Sequence, residues 1–408
     1  MPDLKTCLVT VVFSVWLVAC TEQPQTNQTT SQQLQVTISS PISPANEMQS
    51  IDSFDVYVDR QTIHAVFTNT GSEAKQTHIG YLHSEDGGSH WSVPQDIAAP
   101  FNLPIESKAG NDIQIAANDN TLLVIWQTTG EIPGMGPLTA IFSLDGGKTW
   151  QKGVNPTNSL TDQSHPDLAA DQQGRFHMVW LDDRDENGHQ GLRYARTLDA
   201  SQHWDAQLTI DDSTCSCCWN RLLISSNGQL NVLYRDMEPR DMALAQSSNG
   251  GASWRQVSPV GQFNWQFEGC PHNGGGLTQA ENGDLHSTVW TGAENQVGLY
   301  HLQSTDNGST WAYPQSLAAG SGAFHSDIAA LDEKRVIAIW DAMGPEGSSV
   351  LFAASSDNGQ NWATARQLSA PDNIAMFPRI VATQVGWLAF WTEQQPKATK
   401  QWLSAVIR

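Results

Sequence analysis

Apolar residues along most of this chain come in short runs, four to six long, broken by Gly, Asp and Asn. Seven of these runs close on an aromatic: HAVF at Phe67, LLVIW at Trp126, FHMVW at Trp180, LNVLY at Tyr234, LHSTVW at Trp290, RVIAIW at Trp340 and WLAFW at Trp391. Segments this short and this rich in β-branched and aromatic residues predict strands rather than helices. A shorter strand precedes each, as in HPDLAAD and HSDIAAL.

A second pattern is interleaved with the first. The octad Ser-x-Asp-x-Gly-x-x-Trp stands as SEDGGSHW ending at Trp91, SLDGGKTW at Trp150, SSNGGASW at Trp254, STDNGSTW at Trp311 and SSDNGQNW at Trp362. A degenerate copy, TLDASQHW, ends at Trp204, and successive Trp residues are 50 to 59 positions apart. Such a period, with turn signals inside each unit, is that of propeller blades. The acidic or amide residues Asp86, Asp145, Asp199, Asn249, Asp306 and Asp357 are read as turn formers that accept backbone N–H groups, and the Gly takes the positive φ of the turn. The Trp is expected to fill the gap beside the next strand.

Each unit therefore predicts four strands, giving an all-β propeller of four-stranded blades. Seven aromatic-ended strands against six boxes leave the last unit, from Met376 to Arg408, without a box or an outer strand. The strand-like QLQVTIS, Gln33 to Ser39, is unassigned at the other end. Letting it complete the last blade closes the ring and removes the open edges, so seven blades are favoured, with six as the alternative.

The first residues read differently. Lys5 and the apolar Leu8 to Ala19 have the length of a signal-peptide core, too short for a bilayer span. The run ends in Leu17-Val18-Ala19-Cys20, which resembles a bacterial lipobox and implies lipidation at Cys20. Residues 1–19 are thus expected to be a leader, 20–35 a polar tether and 36–408 the propeller. The implied address is the bacterial cell envelope, on the outer membrane, with the membrane contacted through the lipid. Asp and Glu number 42 against 21 Lys and Arg, a net charge of −21, which excludes nucleic acid as a partner.

The boxes, and blade-length units such as HPDLAADQQGRFHMVWLDDRDENGHQGLRYARTLDASQHW, resemble the BNR/Asp-box sialidase superfamily from Ser53 to the C-terminus. The resemblance implies a propeller scaffold; it does not fix an activity, because such scaffolds host hydrolases, binding proteins and assembly factors. Sialidases of that superfamily use three arginines, a Tyr nucleophile with a Glu partner, and an Asp acid/base, the first Arg lying in an Arg-Ile-Pro motif. Here the matching strand is SFDVYVD, with Asp55 at the Arg position, and no Arg-Ile-Pro occurs. Aligning the inner strands gives Asp55, Asp112, Asp167, Arg221, Gly276, Asp327 and Arg379 as the ring around the mouth of the central channel. Asp167, Asp327, Arg221 and Arg379 are the catalytic candidates under a glycoside-hydrolase reading, with Arg184, Arg235 or Arg240 available as a third cation. Asp55, Asp112, His165 and His325 are placed at the channel mouth.

Four cysteines remain after Cys7 and Cys20, all at the starts of two neighbouring units. Cys215, Cys217 and Cys218 stand in TCSCCWNRL; Cys270 stands in GCPHNGGGL, two residues before His272. Three readings are open: structural disulfides, natural in an oxidising compartment; a soft-metal site for copper or zinc; or a redox couple. Vicinal and Cys-x-Cys bridges are strained, which weakens a two-disulfide solution. Function divides accordingly. One reading is a metal-binding envelope propeller; the others are an exo-sialidase-like hydrolase and an interaction platform for an envelope protein or glycan.

Overall fold

In the computed structural model, residues 36–45, 50–70, 77–130, 135–184, 190–199, 203–345, 347–395 and 398–408 are described. The leader, Cys20 and the tether lie outside them. Short strands bounded by turn residues assemble into seven antiparallel sheets, at 51–96, 114–152, 163–214, 221–260, 276–319, 327–367 and 374–407. The first six have four strands each and the last has three from its own stretch of chain. Each sheet runs in sequence order from its inner strand outward, the meander of a propeller blade. Among the described residues the only helix is a single turn, Ala99–Phe101, and none is long and apolar enough to cross a membrane.

The N-terminal segment closes the ring. Thr37 N donates to Arg408 O and Ser39 N to Val406 O, and Ile38 and Ile42 bridge Ile407 and Ser404. The segment adds the missing outer strand to blade seven, so there are seven four-stranded blades rather than six.

The aromatic strand ends form the core. Trp126, Trp180, Trp340 and Trp391 are fully buried, each worth on the order of 3 kcal/mol of burial. The apolar clusters lie between blades. One, for example, joins Phe54 and Phe67 of blade one to Leu388, Phe390 and Trp402 of blade seven.

The boxes are turns. In the second blade Ser143 Oγ donates to Asp145 Oδ1 (2.8 Å), which also accepts from Thr149 N (2.9 Å), while Gly147 N donates to Ser143 Oγ (2.9 Å). Gly147 sits at φ +85°, and a Cβ there would stand 2.5 Å from the Tyr81 ring of blade one. The box Trp packs on the preceding blade rather than beside a following strand: Trp150 meets Tyr81 at 5.3 Å and Trp254 meets Tyr194 at 4.9 Å, both edge-on. All boxes join third to fourth strands. They therefore occupy the face opposite the connectors that carry each outer strand to the next blade's inner strand.

Candidate metal centre at the channel mouth

Two successive connectors carry the cysteines. The first spans 215–220, between the outer strand Leu208–Thr214 of blade three and the inner strand Arg221–Ile224 of blade four. Its start is pinned by Cys215 N donating to Arg235 O (3.0 Å). The second spans 261–275, ahead of the inner strand Gly276–Gln279 of blade five. Asp241 accepts from Asn264 N and Trp265 N at its beginning. At its end the backbone passes under the Trp219 indole so closely that a Cβ on Gly274 would lie 2.4 Å from the ring nitrogen. Only glycine permits that approach, and it brings Cys270 and His272 over the first connector.

One buried cation ties the two connectors together. Arg235, 1% exposed, donates from Nε to Asn273 O (3.0 Å), from one terminal nitrogen to Arg240 O and from the other to Trp290 O (2.9 Å), with its plane over Trp265 at 5.4 Å. Among the described residues no carboxylate pairs with it.

Cys215 Sγ lies 3.3 Å from Cys218 Sγ and 3.7 Å from Cys217 Sγ, and all three residues are buried. Cys217, Cys270 and His272 form a second set whose ligand atoms lie within 4.8 Å of one another, with Cys270 and His272 exposed. All four thiols are free. The S···S separations exceed the ~2.05 Å of a disulfide and lie near the ~3.8 Å edge set by metal–sulfur bonds of ~2.3 Å. Hydrogen bonding with Cys217 and Cys218 pulls the Cys215 thiol down, and the same contacts push Cys217 up. Burial and the hydrogen bond with Cys215 push the Cys218 thiol up. The guanidinium groups of Arg240 and Arg235 favour negative charge on the trio, at Cys215 and Cys218 respectively.

Cys217 and His272 also line a cavity of about 380 Å³ at the mouth, with Met135, His165, Trp219 and His325. His165 and Phe377 each precede a proline and adopt left-handed φ, +50° and +56°, at irregularities in the strand register. Such bulges re-aim side chains. Burial lowers His165 to about 4, so its ring is neutral, and its buried Nδ1 has no hydrogen-bond partner. His325 Nδ1 bonds Asp341 Oδ2 at 2.6 Å, and that oxygen also accepts from Phe377 N (2.9 Å). The His325 ring lies between Trp219 and Phe377, with centroids at 5.4 and 4.2 Å.

The inner strands present the charged ring. Register pairs Asp55, Asp167, Arg221, Asp327 and Arg379 with Val66, Val179, Leu233, Ile339 and Phe390, each one residue before the closing aromatic. In blade two that place belongs to Gln114, opposite Ile125, and in blade five to Gly275 rather than Gly276, which pairs with Thr288. The Asp112 assignment is corrected: Ile113-Gln114-Ile115 alternates, so two alignments satisfy the sequence, and the ladder selects the later. Asp112 lies two residues before that register position, accepting from Ser53 Oγ (3.0 Å), with Arg379 3.5 Å away.

The ring carboxylates cross-link neighbouring blades. Asp55 accepts from Ile115 N, Asp167 from Leu222 N and Asp327 from Ile380 N. Arg221 pairs with Asp327 at 3.1 Å. Of the spare arginines, Arg184 donates to Gln207 Oε1 (2.8 Å) and Arg240 Nε to Phe267 O (3.0 Å), so with Arg235 all three are engaged elsewhere. Burial pushes Asp55 up to about 7 against the pull of Arg379, and raises Asp112 and Asp167 in the same direction.

Residues 54–214 match the BNR repeat-like domain family. The fold is a seven-bladed β-propeller. No curated protein matches the chain. Among solved structures, the propeller is similar to an ulvan lyase of a new polysaccharide-lyase family (TM-score 0.58, 8% identity, 90% of this chain and 93% of that one). It is also similar to YCF48 bound to D1 peptide (TM-score 0.53, 16% identity, 90% and 96%). A third likeness is to a protein of unknown function from Dyadobacter fermentans (TM-score 0.52, 13% identity, 91% and 99%). At these identities the likeness is one of fold.

Sequence reasoning about this propeller missed Asp341, Trp219 and Met135 at the mouth. It also took Arg235 for a spare substrate clamp. The signal for Asp341 was its place directly after the aromatic Trp340, where the second strand reaches the connector face.

Proposed function

We propose that this propeller is an envelope protein, held through a lipid on Cys20, that binds a soft metal ion, copper or zinc, at Cys215, Cys217, Cys218, Cys270 and His272. The observation that carries the reading is the packing of three buried thiols at near metal-ligand spacing, sharing Cys217 with an exposed Cys/His set. Thiolate with imidazole is the donor set of Cu(I) and Zn. When bound, such a cation would be a polarising, thiolate-held centre beside the mouth cavity. Arg235 would balance the thiolate charge, and the Gly274 backbone would hold Cys270 and His272 in place.

Elemental analysis and thiol titration of the natively exported protein test this. Near-stoichiometric copper or zinc, lost when Cys217, Cys218 and Cys270 are replaced by serine, is the expected result. Absence of metal together with absence of free thiols would overturn it.

A second reading, glycan binding at the mouth, rests on the cavity with its Trp219 face and the Asp341-held His325. Asp167 and Asp327, the acids a sialidase-like reaction would call upon, are engaged in tying blades together. A thiol-blocked protein that still cleaved a sialoside would favour this reading over the metal one.

A further inference from the structure

The five donor atoms do not form one tetrahedral set. They fall into two triads that share a single atom, Cys217 Sγ: Cys215/Cys217/Cys218 on one side and Cys217/Cys270/His272 on the other. A four-coordinate zinc site needs every pair of donors within about 4 Å. Here it would have to draw Cys215 or Cys218 together with Cys270 or His272, which belong to different triads.

The triads also differ in access. The first is buried, the second exposed at Cys270 and His272, and Cys217 and His272 face the mouth cavity.

Charge permits two ions as readily as one. Four thiolates around one divalent cation leave a net −2 in a partly buried place, and two monovalent cations leave the same −2 while occupying both triads. The counter-charge is already built: Arg235 is a buried guanidinium with carbonyl partners and, among the described residues, no carboxylate. An uncompensated buried cation is costly, and an anionic cluster beside it relieves that cost.

We infer that the cluster is a two-ion cuprous centre bridged by the Cys217 thiolate, with a closed inner ion on Cys215, Cys217 and Cys218 and an exchangeable outer ion on Cys217, Cys270 and His272. Three-coordinate thiolate and imidazole sets suit Cu(I), a soft cation that does not demand a fourth ligand. The outer ion, reached from the cavity, is the one the protein would take up from or give to a small thiol or a partner's soft ligands. The inner ion stays. The inference rests on the metal reading above and adds the number, identity and unequal access of the ions.

The test is anaerobic titration of the full-length exported protein, stripped of metal, with Cu(I) against a cuprous chelator. Wild type is expected to saturate at two copper ions per chain, one withdrawn quickly by excess chelator and one slowly. His272→Ala changes an exposed side chain and is expected to bind one ion, retaining the slow one. Cys217→Ser is expected to lose both. Thermal unfolding monitors the fold, and if Cys217→Ser does not fold, His272→Ala carries the test. Saturation of wild type at one ion, abolished by His272→Ala, would overturn the two-ion centre and leave the metal reading standing. No copper binding at all would remove both.

Discussion

Replacing Asp55 by Asn should make the propeller more stable as pH rises. The Asp55 carboxyl, 7% exposed, accepts Ile115 N at 2.9 Å across the blade one–two boundary, facing Arg379, Asp167 and Arg221. Burial raises it from 3.8 to about 7 in the folded protein. A folded-state value above the unfolded one means the folded chain holds the proton more tightly. That contribution is complete below pH 4 and is lost as pH rises through 7, so wild-type stability falls across this window. At ~1.4 kcal/mol per pH unit, the interval from 3.8 to about 7 corresponds to ~4 kcal/mol, an upper figure because neighbouring carboxyls titrate together. Asn keeps an acceptor for Ile115 N and carries no charge. Asp55→Asn should therefore match wild type near pH 4 and exceed it by a few kcal/mol at pH 8. Urea unfolding midpoints at pH 4, 6 and 8, converted with a common slope, measure the difference. A difference that stays flat with pH, or a variant less stable at pH 8, would refute the assignment of a buried, reluctantly ionised Asp55.

Three further outcomes follow from the packing. Gly274→Ala forces a methyl to within 2.6 Å of three Trp219 ring atoms, so a loss of about 1–3 kcal/mol is expected by thermal unfolding, with reduced metal retention as the connector shifts. Arg235→Met leaves the carbonyls of Asn273, Arg240 and Trp290 without their donor at about 1–3 kcal/mol each, so a loss above ~3 kcal/mol is expected in denaturant. Deleting residues 36–42 removes five backbone hydrogen bonds to the last strand, about 5 kcal/mol in all, and bares a sheet edge; light scattering should show self-association.

What the sequence revealed, and what it hid, follows from the range of the interactions. The boxes are local: Asp145 and its partners lie within four residues of one another, so the octad could be read as a turn directly. The aromatic strand ends are nearly as local, since burying Trp126 or Trp180 requires only a repeating unit. Ring closure was inferred by counting, because seven strand ends met six boxes. The mouth depends on connectors whose paths are set by distant partners. Trp219 over Gly274, Arg235 on Asn273 and Trp290, and His325 on Asp341 join different blades or different strands of one blade, and no spacing announces them. Blade two shows the limit most clearly, where an alternating Ile-Gln-Ile admitted two registers and only the ladder chose between them.

Pairing Ile38 with Ile407 gives this ring a contact order that no blade has by itself. As the chain is synthesised from its N-terminus, blades one to six can each form a meander as they appear. The flank of blade one bearing Phe54 and Phe67 stays bare until Phe390 and Trp402 arrive. Loop closure over such a separation is slow, and its reward comes only with the last residues delivered. Losing the strand Gln401–Ile407 would strand both the first segment and the first blade, a global failure from a terminal clip. A lesion inside one box should stay confined to its own turn and the blade before it.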